Sequence, residues 1–416
     1  MTPPRKISAH FEIVTPMFLG DANQKATRIS EASIKGALVF WWRALNYAVF
    51  VKEAAGDQAK ALAALYEREV FLFGGGGSGQ SRVLLKVRTQ TISGSAAPES
   101  LLPGVKDGDG IAYLGYGLMD YKGKLTRSCF NGGNFSIDLI IRQGALTDDD
   151  IGKSILPAIK LFGLIGGLGS RVRRGWGSVA LSELSVDGEA SWVQPDSLGA
   201  YELALKDILG ERFRSVSGKT FPITAFAHET DIRCGSQLGT TPLACMSNVS
   251  KGLQRYRSWG QTGDDGIAKV NGQPSEMNFR ADHDWFKDKN RSMTGKFADT
   301  AGNTHSTDAL PKRAAFGLPH NYFSRGFGKM DVSAAKTDRR ASPLMFHVHK
   351  LATGQCFTVA SFFPTKFLAD GKITAGGRSK TFEFDSATIL SFLDNKRPNG
   401  TNPPNGPYFP NTKVFP

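Results

Sequence analysis

The chain has 416 residues, length enough for two or three domains that each bury a core. Lys and Arg number 51 against 38 Asp and Glu, a net charge of +13 that fits a nucleic-acid partner or an acidic membrane surface. No apolar run of about 18 residues occurs, and Met1 to Lys6 lacks the apolar stretch of a signal peptide, so no membrane is expected and a cytoplasmic location is. The cysteines, Cys129, Cys234, Cys245 and Cys356, are far apart and show no metal-ligand spacing. They read as reduced thiols, and no cofactor or metal is expected.

In chain order, residues 9–19 alternate as an opening strand around Phe11 and Ile13, closed by Thr15-Pro16. A loop through Lys25 and Arg28 leads to Ser33, a plausible helix N-cap. From there Ile34, Leu38, Trp41, Trp42, Leu45, Ala48 and Val49 fall on one arc at about 100° per residue, so the tryptophans belong to the core. Arg43 lies opposite that stripe, and Lys35 also lies off it. A second helix is predicted over Gln58 to Phe71, a strand over Ser81 to Arg88, and a hairpin arm over Ile111 to Gly117. Arg82, Lys86 and Arg88 give the strand a basic face. Phe135, Ile137, Leu139 and Ile141 make a further strand.

Asp148 to Asp150 open a helix whose acidic first turn suits the macrodipole, and it runs to about Leu164. A glycine- and arginine-rich segment follows, Gly163 to Ser178, then a strand from Ser178 to about Val186. Glycines permit close approach to the main chain, successive amides form anion-binding concavities, and guanidinium groups make bidentate phosphate contacts. The segment reads as a surface loop that holds a polyanion, with RNA the leading candidate. Trp176 between two glycines suits either base stacking or pinning the loop to the core. The order strand, helix, strand, strand, helix, strand is the ferredoxin-like arrangement, shared with RNA-recognition modules.

Beyond residue 190 a helix is predicted over Leu198 to Leu209, a strand over Phe221 to Ala227 and a helix over Pro242 to Trp259. Residues 260–308 read as an irregular insertion, and Leu344 to Lys350 with Cys356 to Phe363 as a hairpin around Thr353-Gly354. The segment 396–416, rich in Pro, Asn and Gly, reads as a flexible tail.

Gly74 to Ser81 nearly matches an NTPase phosphate loop, but Gln80 replaces its lysine and the segment follows a helix; it is a connector. His347 and His349 share one strand face without further ligands nearby, which favours packing over metal binding. His10, His228, His305 and His320 are scattered without a recognisable partner for acid–base work.

Three segments together resemble one family: Thr15 to Gly20 with Ser33 to Arg43; Gly166 to Ser178; and Phe316 to Pro319 with Arg339 to Leu344. They are similar to the first subunits of the Cmr module, RAMP-superfamily proteins of type III-B CRISPR effector complexes. Val39 departs from the pattern, standing where a basic residue is expected. The resemblance implies an α+β protein of two packed ferredoxin-like domains, here residues 1–190 and 191–395. It implies a non-catalytic subunit that engages guide RNA near its 3′ end, or the guide–target RNA duplex, beside other Cmr subunits. A RAMP endoribonuclease that processes precursor guide RNA is the alternative. The expected RNA contacts are Lys25, Arg28, Lys35, Arg43, Gly169, Ser170, Arg171, Arg173, Arg174, Trp176, Arg339 and Arg340.

Overall fold

The computed structural model describes residues 4–75, 80–97, 100, 102, 111–120, 124–210, 213, 215–236, 238–239, 241–287, 296–299, 302–308, 310–324 and 328–416. Part of the Gly74 to Ser81 connector therefore lies outside the described residues. The first strand, β1 (Arg5–Ile13), starts ahead of the predicted one and alternates: Ile7, Ala9, Phe11 and Ile13 are buried, while Lys6 and His10 face water. Helix α1 (Glu31–Glu53) is capped by Ser30, not Ser33, because the Ser30 hydroxyl accepts the Ser33 amide. Its apolar stripe is buried from Ile34 to Ala48, Trp41 and Trp42 included, whereas Val49 is only half-buried. Helix α2 (Gln58–Phe73) lies beside it, capped by Asp57.

Strand β2 (Val83–Ala96), the short helix α3 (Ile111–Leu114) and strand β3 (Cys129–Ile141) follow. The hairpin arm predicted at Ile111 is thus a helical turn. A capping box at Thr147 and Asp150 starts α4 (Asp148–Asp150), which a π-helical turn joins to α5 (Leu156–Ile165). Strand β4 (Val179–Val186) and the short β5 (Glu189–Ala190) complete an antiparallel sheet of order β2-β3-β1-β4-β5. Ignoring β5, that is the ferredoxin-like order with both helices on one face. The other face carries Lys6, Ser8 and His10 of β1 with Ser136 and Asp138 of β3. Asp138 is buried there by Lys6, Arg88 and Ser8, so this face is a polar network rather than an aromatic platform.

Helix α6 (Leu198–Leu209) packs on the first core through Tyr201, Leu205 and Leu209. The predicted strand over 221–227 is irregular chain instead. Phe221, Ala225, Phe226 and Ala227 are buried, but their amides bond locally or to α1, as in Phe226 N to Ala44 O at 3.0 Å.

A second unit begins with β6 (Asp231–Gly235) and α7 (Pro242–Arg257). The insertion after α7 is longer than the predicted 260–308 and is built from small elements. They are β7 (Gln261–Thr262), β8 (Ala268–Val270), β9 (Gln273–Pro274), α8 (Arg280–Lys287), β10 (Lys296–Ala298) and β11 (Thr304–Ser306). A 3-10 turn, Lys312–Phe316, then leads to β12 (His320–Ser324) and β13 (Gly328–Ala334). The predicted hairpin is present as β14 (Leu344–Lys350) and β15 (Cys356–Phe362). Strands β16 (Lys372–Ala375) and β17 (Arg378–Thr381) join β12 and β13 in a separate sheet, ahead of α9 (Ala387–Leu393).

The last strand, β18 (Asn411–Phe415), overturns the expected flexible tail, since it pairs with β6 along the sheet edge. The resulting order, β14-β15-β6-β18, with α7 and α9 as the two helices, repeats the first unit's topology. Both faces of this second sheet are covered. Phe346, Val348, Ala360 and Phe362 join a core with α7, α9 and Trp176, whereas Met345, Phe357 and Val359 join the core of the first unit. No helix among the described residues is long and apolar enough to cross a membrane.

Candidate nucleic-acid interface

The glycine–arginine segment is not a loop lying loose on the surface. It runs between the two units and is hydrogen-bonded to both. Gly167 and Ser178 pair across the segment, and Leu168 N donates to Gly177 O at 2.9 Å. Ser170 N donates to Phe18 O and Gly177 N to Pro16 O in the first unit. Phe346 N of β14 donates to Arg173 O at 3.0 Å, and Val348 N to the Ser178 hydroxyl at 3.1 Å. His347 Nδ1 lies 2.8 Å from Gly166 O.

The glycines answer to this packing and not to an approaching ligand. At Gly169, φ is +92° and an added Cβ would stand 2.6 Å from Phe18 O. Gly169 and Ser170, expected as RNA contacts, thus also bind the segment to residues 16–18, and both keep a partly exposed side. Trp176, by contrast, is corrected. It is fully buried, edge-on to Phe18 at 5.4 Å, so it pins the segment and offers no face for stacking.

What the segment does present is arginine. Arg171 is exposed, held at φ +61°, with Nε donating to Tyr116 O at 3.0 Å. Arg339 and Arg127 stand close enough, with burial the larger cause, to lower its pKa. Arg174 points inward and donates to Phe316 O at 3.0 Å; burial, then Arg257, pulls its guanidinium down to about 10. Arg257, from the end of α7, lies over the Phe316 ring at 4.7 Å and contacts His320 Nε2 at 2.6 Å. None of Arg127, Arg171, Arg174, Arg257 and Arg339 has a carboxylate ion-pair partner among the described residues. Arginines gathered without acids, in partial burial, have the chemistry to hold an anion with several charges.

Arg173 and Arg340 form a second, tighter pairing. Arg173 donates to Ser342 O at 3.0 Å and to the Thr224 hydroxyl at 3.1 Å. Burial and Arg340 lower its pKa to about 10. Arg340 donates to the Thr365 hydroxyl at 3.0 Å. Both are largely committed to holding the units together, so Arg339 is the freer of its pair.

Lys25 and Arg28 are exposed on the β1–α1 loop, whose Ala26 amide bonds to Ser128 beside Arg127. Arg28 lies 3.9 Å from Glu31. Lys35 and Arg43 do not join the cluster. The Lys35 ammonium caps the Phe73 carbonyl at the end of α2, and Arg43 grips Glu69 of α2 through two nitrogens. Both, expected as RNA contacts, here fasten α1 to α2. Arg127, Arg257 and His320 were missed as site residues because each stands alone in sequence, without a motif. His320, lacking a recognisable partner by sequence, has one in Arg257.

Residues 10–180, most of the first unit and all of its glycine–arginine segment, match the family model of the RAMP superfamily. No curated protein matches the chain by sequence. The whole chain is similar in fold to the crystal structure of Cmr1 from Pyrococcus furiosus, in its apo form. The two share 20% identity at a TM-score of 0.55, covering 99% of this chain and 98% of that one. A chain of the type III-B Cmr-beta complex, bound to cognate target RNA and AMPPnP in the presence of ssDNA, is similar at 10% identity and a TM-score of 0.50. That match covers 94% of this chain and 98% of the other.

Proposed function

We propose that this protein is a non-catalytic RNA-binding subunit of a type III-B CRISPR effector complex, acting in antiviral defence. It engages guide RNA on its 3′ side or the guide–target duplex, with other Cmr subunits as neighbours. The arginine cluster of Arg127, Arg171, Arg174, Arg257 and Arg339 carries this reading, since its unpaired charge matches a phosphate backbone and little else. The similarity in fold to Cmr1 and to a chain of an RNA-bound Cmr complex supports the choice of assembly. His347 and His349 are fully buried, so neither can reach a scissile phosphate.

RNA affinity should fall steeply with salt. With about four to six phosphates neutralised, the log–log slope for single strands should be about −3 to −4. Arg171→Ala with Arg339→Ala should flatten it at unchanged melting temperature. Filter binding at several salt concentrations measures both, and a slope near zero in the native protein would remove the reading. Incubation with labelled repeat RNA in EDTA tests the alternative, because a discrete cleavage product would favour an endoribonuclease.

Arg43→Ala gives a different expectation. Arg43 is half exposed but Glu69 is largely buried, so the substitution leaves a carboxylate without its partner and should cost roughly 1–3 kcal/mol. RNA affinity should not move. A tenfold weaker complex would restore Arg43 to the interface.

A further inference from the structure

Behind the outer arginines Arg174 meets Arg257 and His320, a meeting that only the fold brings about. Arg257 is only 9% exposed, yet its Nε makes no hydrogen bond. Its other contacts are His320 Nε2 at 2.6 Å and the rings of Phe316 and Tyr113, at 4.7 and 5.7 Å. Arg174 reaches the same Phe316 from the glycine–arginine segment. Arg313, the third guanidinium here, is satisfied by Asp282, 3.4 Å away. Arg174 and Arg257 therefore stand desolvated side by side without a neutralising acid among the described residues. Burying a charge is costly unless a counter-charge meets it, and this cluster is built as though one does.

The geometry points to a phosphate-binding recess formed by Arg174, Arg257 and His320, which takes one phosphoryl group of the bound RNA. The inference rests on the RNA-binding reading and extends it to a named inner contact. Two guanidinium forks supply parallel donors of the kind a phosphate accepts, and Arg257 Nε is a donor already free. His320 accepts from Arg257 and is held neutral, its pKa driven well below the usual value by burial first and then by Arg257, Arg313 and Arg174. A neutral ring beside Arg257 orients the guanidinium without competing for the anion. The three side chains come from three places: the segment between the units, the end of α7, and the first residue of β12 in the insertion.

The test uses the full chain and a labelled single-stranded RNA with hydroxyls at both ends, by filter binding across a salt series. Arg257→Gln should weaken binding about tenfold and reduce the magnitude of the salt slope by about 0.7, one phosphate's worth. Lys206→Gln, on the exposed side of α6, removes the same charge elsewhere and should do neither. If the two variants behave alike, the recess binds nothing and the inference is overturned. Should Arg257→Gln fail to fold, Arg257→Lys decides, because it keeps the charge and loses the fork. It should bind at least threefold more weakly at an unchanged slope, and native affinity would overturn the inference.

RNAs ending in a 5′- or 3′-phosphate separate the two sources of the group. A gain with one of them that Arg257→Gln abolishes supports a terminal phosphate; equal binding of all ends, still sensitive to Arg257→Gln, supports an internal phosphodiester. Wild-type protein that ignores RNA at every salt concentration would defeat the RNA reading itself. Salt-dependent binding that is indifferent to Arg257 defeats only the recess.

Discussion

Gly177→Val should leave the protein unfolded or nearly so, with a loss of at least roughly 4–5 kcal/mol. Gly177 has φ +65°, where a β-branched residue is strained, and its added Cβ would stand 1.9 Å from Leu168 O. Neither neighbour can retreat. Leu168 N bonds back to Gly177 O, Gly177 N bonds to Pro16 O, and Gly167 already faces Gly177 O closely. Gly175→Ala provides the comparison. Its φ is +84°, but the nearest atom to its Cβ is 3.8 Å away, so only the conformational cost of about 1–2 kcal/mol applies. Thermal melting of both variants measures the difference. A Gly177→Val protein that melts within a few degrees of wild type would show that the segment is the pliant surface loop its composition suggests.

Stability should drop as pH falls below about 6.5, well before the carboxylates titrate. His347 and His349 are buried neutral between the units; burial drives His347 down to about 3 and His349 well below its usual value. The unfolded chain takes up protons on both near pH 6.5 while the folded chain does not. The unfolded state therefore gains relative stability as pH falls, and the folded protein is most stable above that value. Between pH 6.5 and 4.5 His347 should cost roughly 2–3 kcal/mol, and His349 and His320 act in the same direction. Urea unfolding at pH 7.5, 6.5, 5.5 and 4.5 follows the loss, and His347→Phe should make it shallower. A midpoint that stays flat from pH 7.5 to 5 would mean that these rings are solvated.

The elements that sequence made legible are those whose pattern is local. Helix α2 and the hairpin of β14 and β15 stand where their apolar spacing and the Thr353-Gly354 turn put them. The helix start was off by three residues because Ser30 and Ser33 are both competent caps, and the geometry of the entering loop selects between them. Strand β6 was missed because Asp231 and Arg233 make it look polar, although the two side chains pair with each other. Strand β18 was missed because Pro, Asn and Gly around it signal irregular chain, whereas its partner is the distant β6. In the site, Arg171 and Arg339 could be found because arginines cluster in sequence there. Arg257 and His320 meet only through the fold.

The path of the glycine–arginine segment also decides how the molecule bears load. Arg171 and Arg174 hang from a strap whose main chain is sewn to Pro16 and Phe18 on one side and to Phe346 on the other. On the RNA-binding reading, tension on a bound strand would pass from Arg171 and Arg174 through that strap into both sheets at once. A hinge that parted the two units would also break the hydrogen bonds that shape the segment, so grip and closure would share one mechanical element.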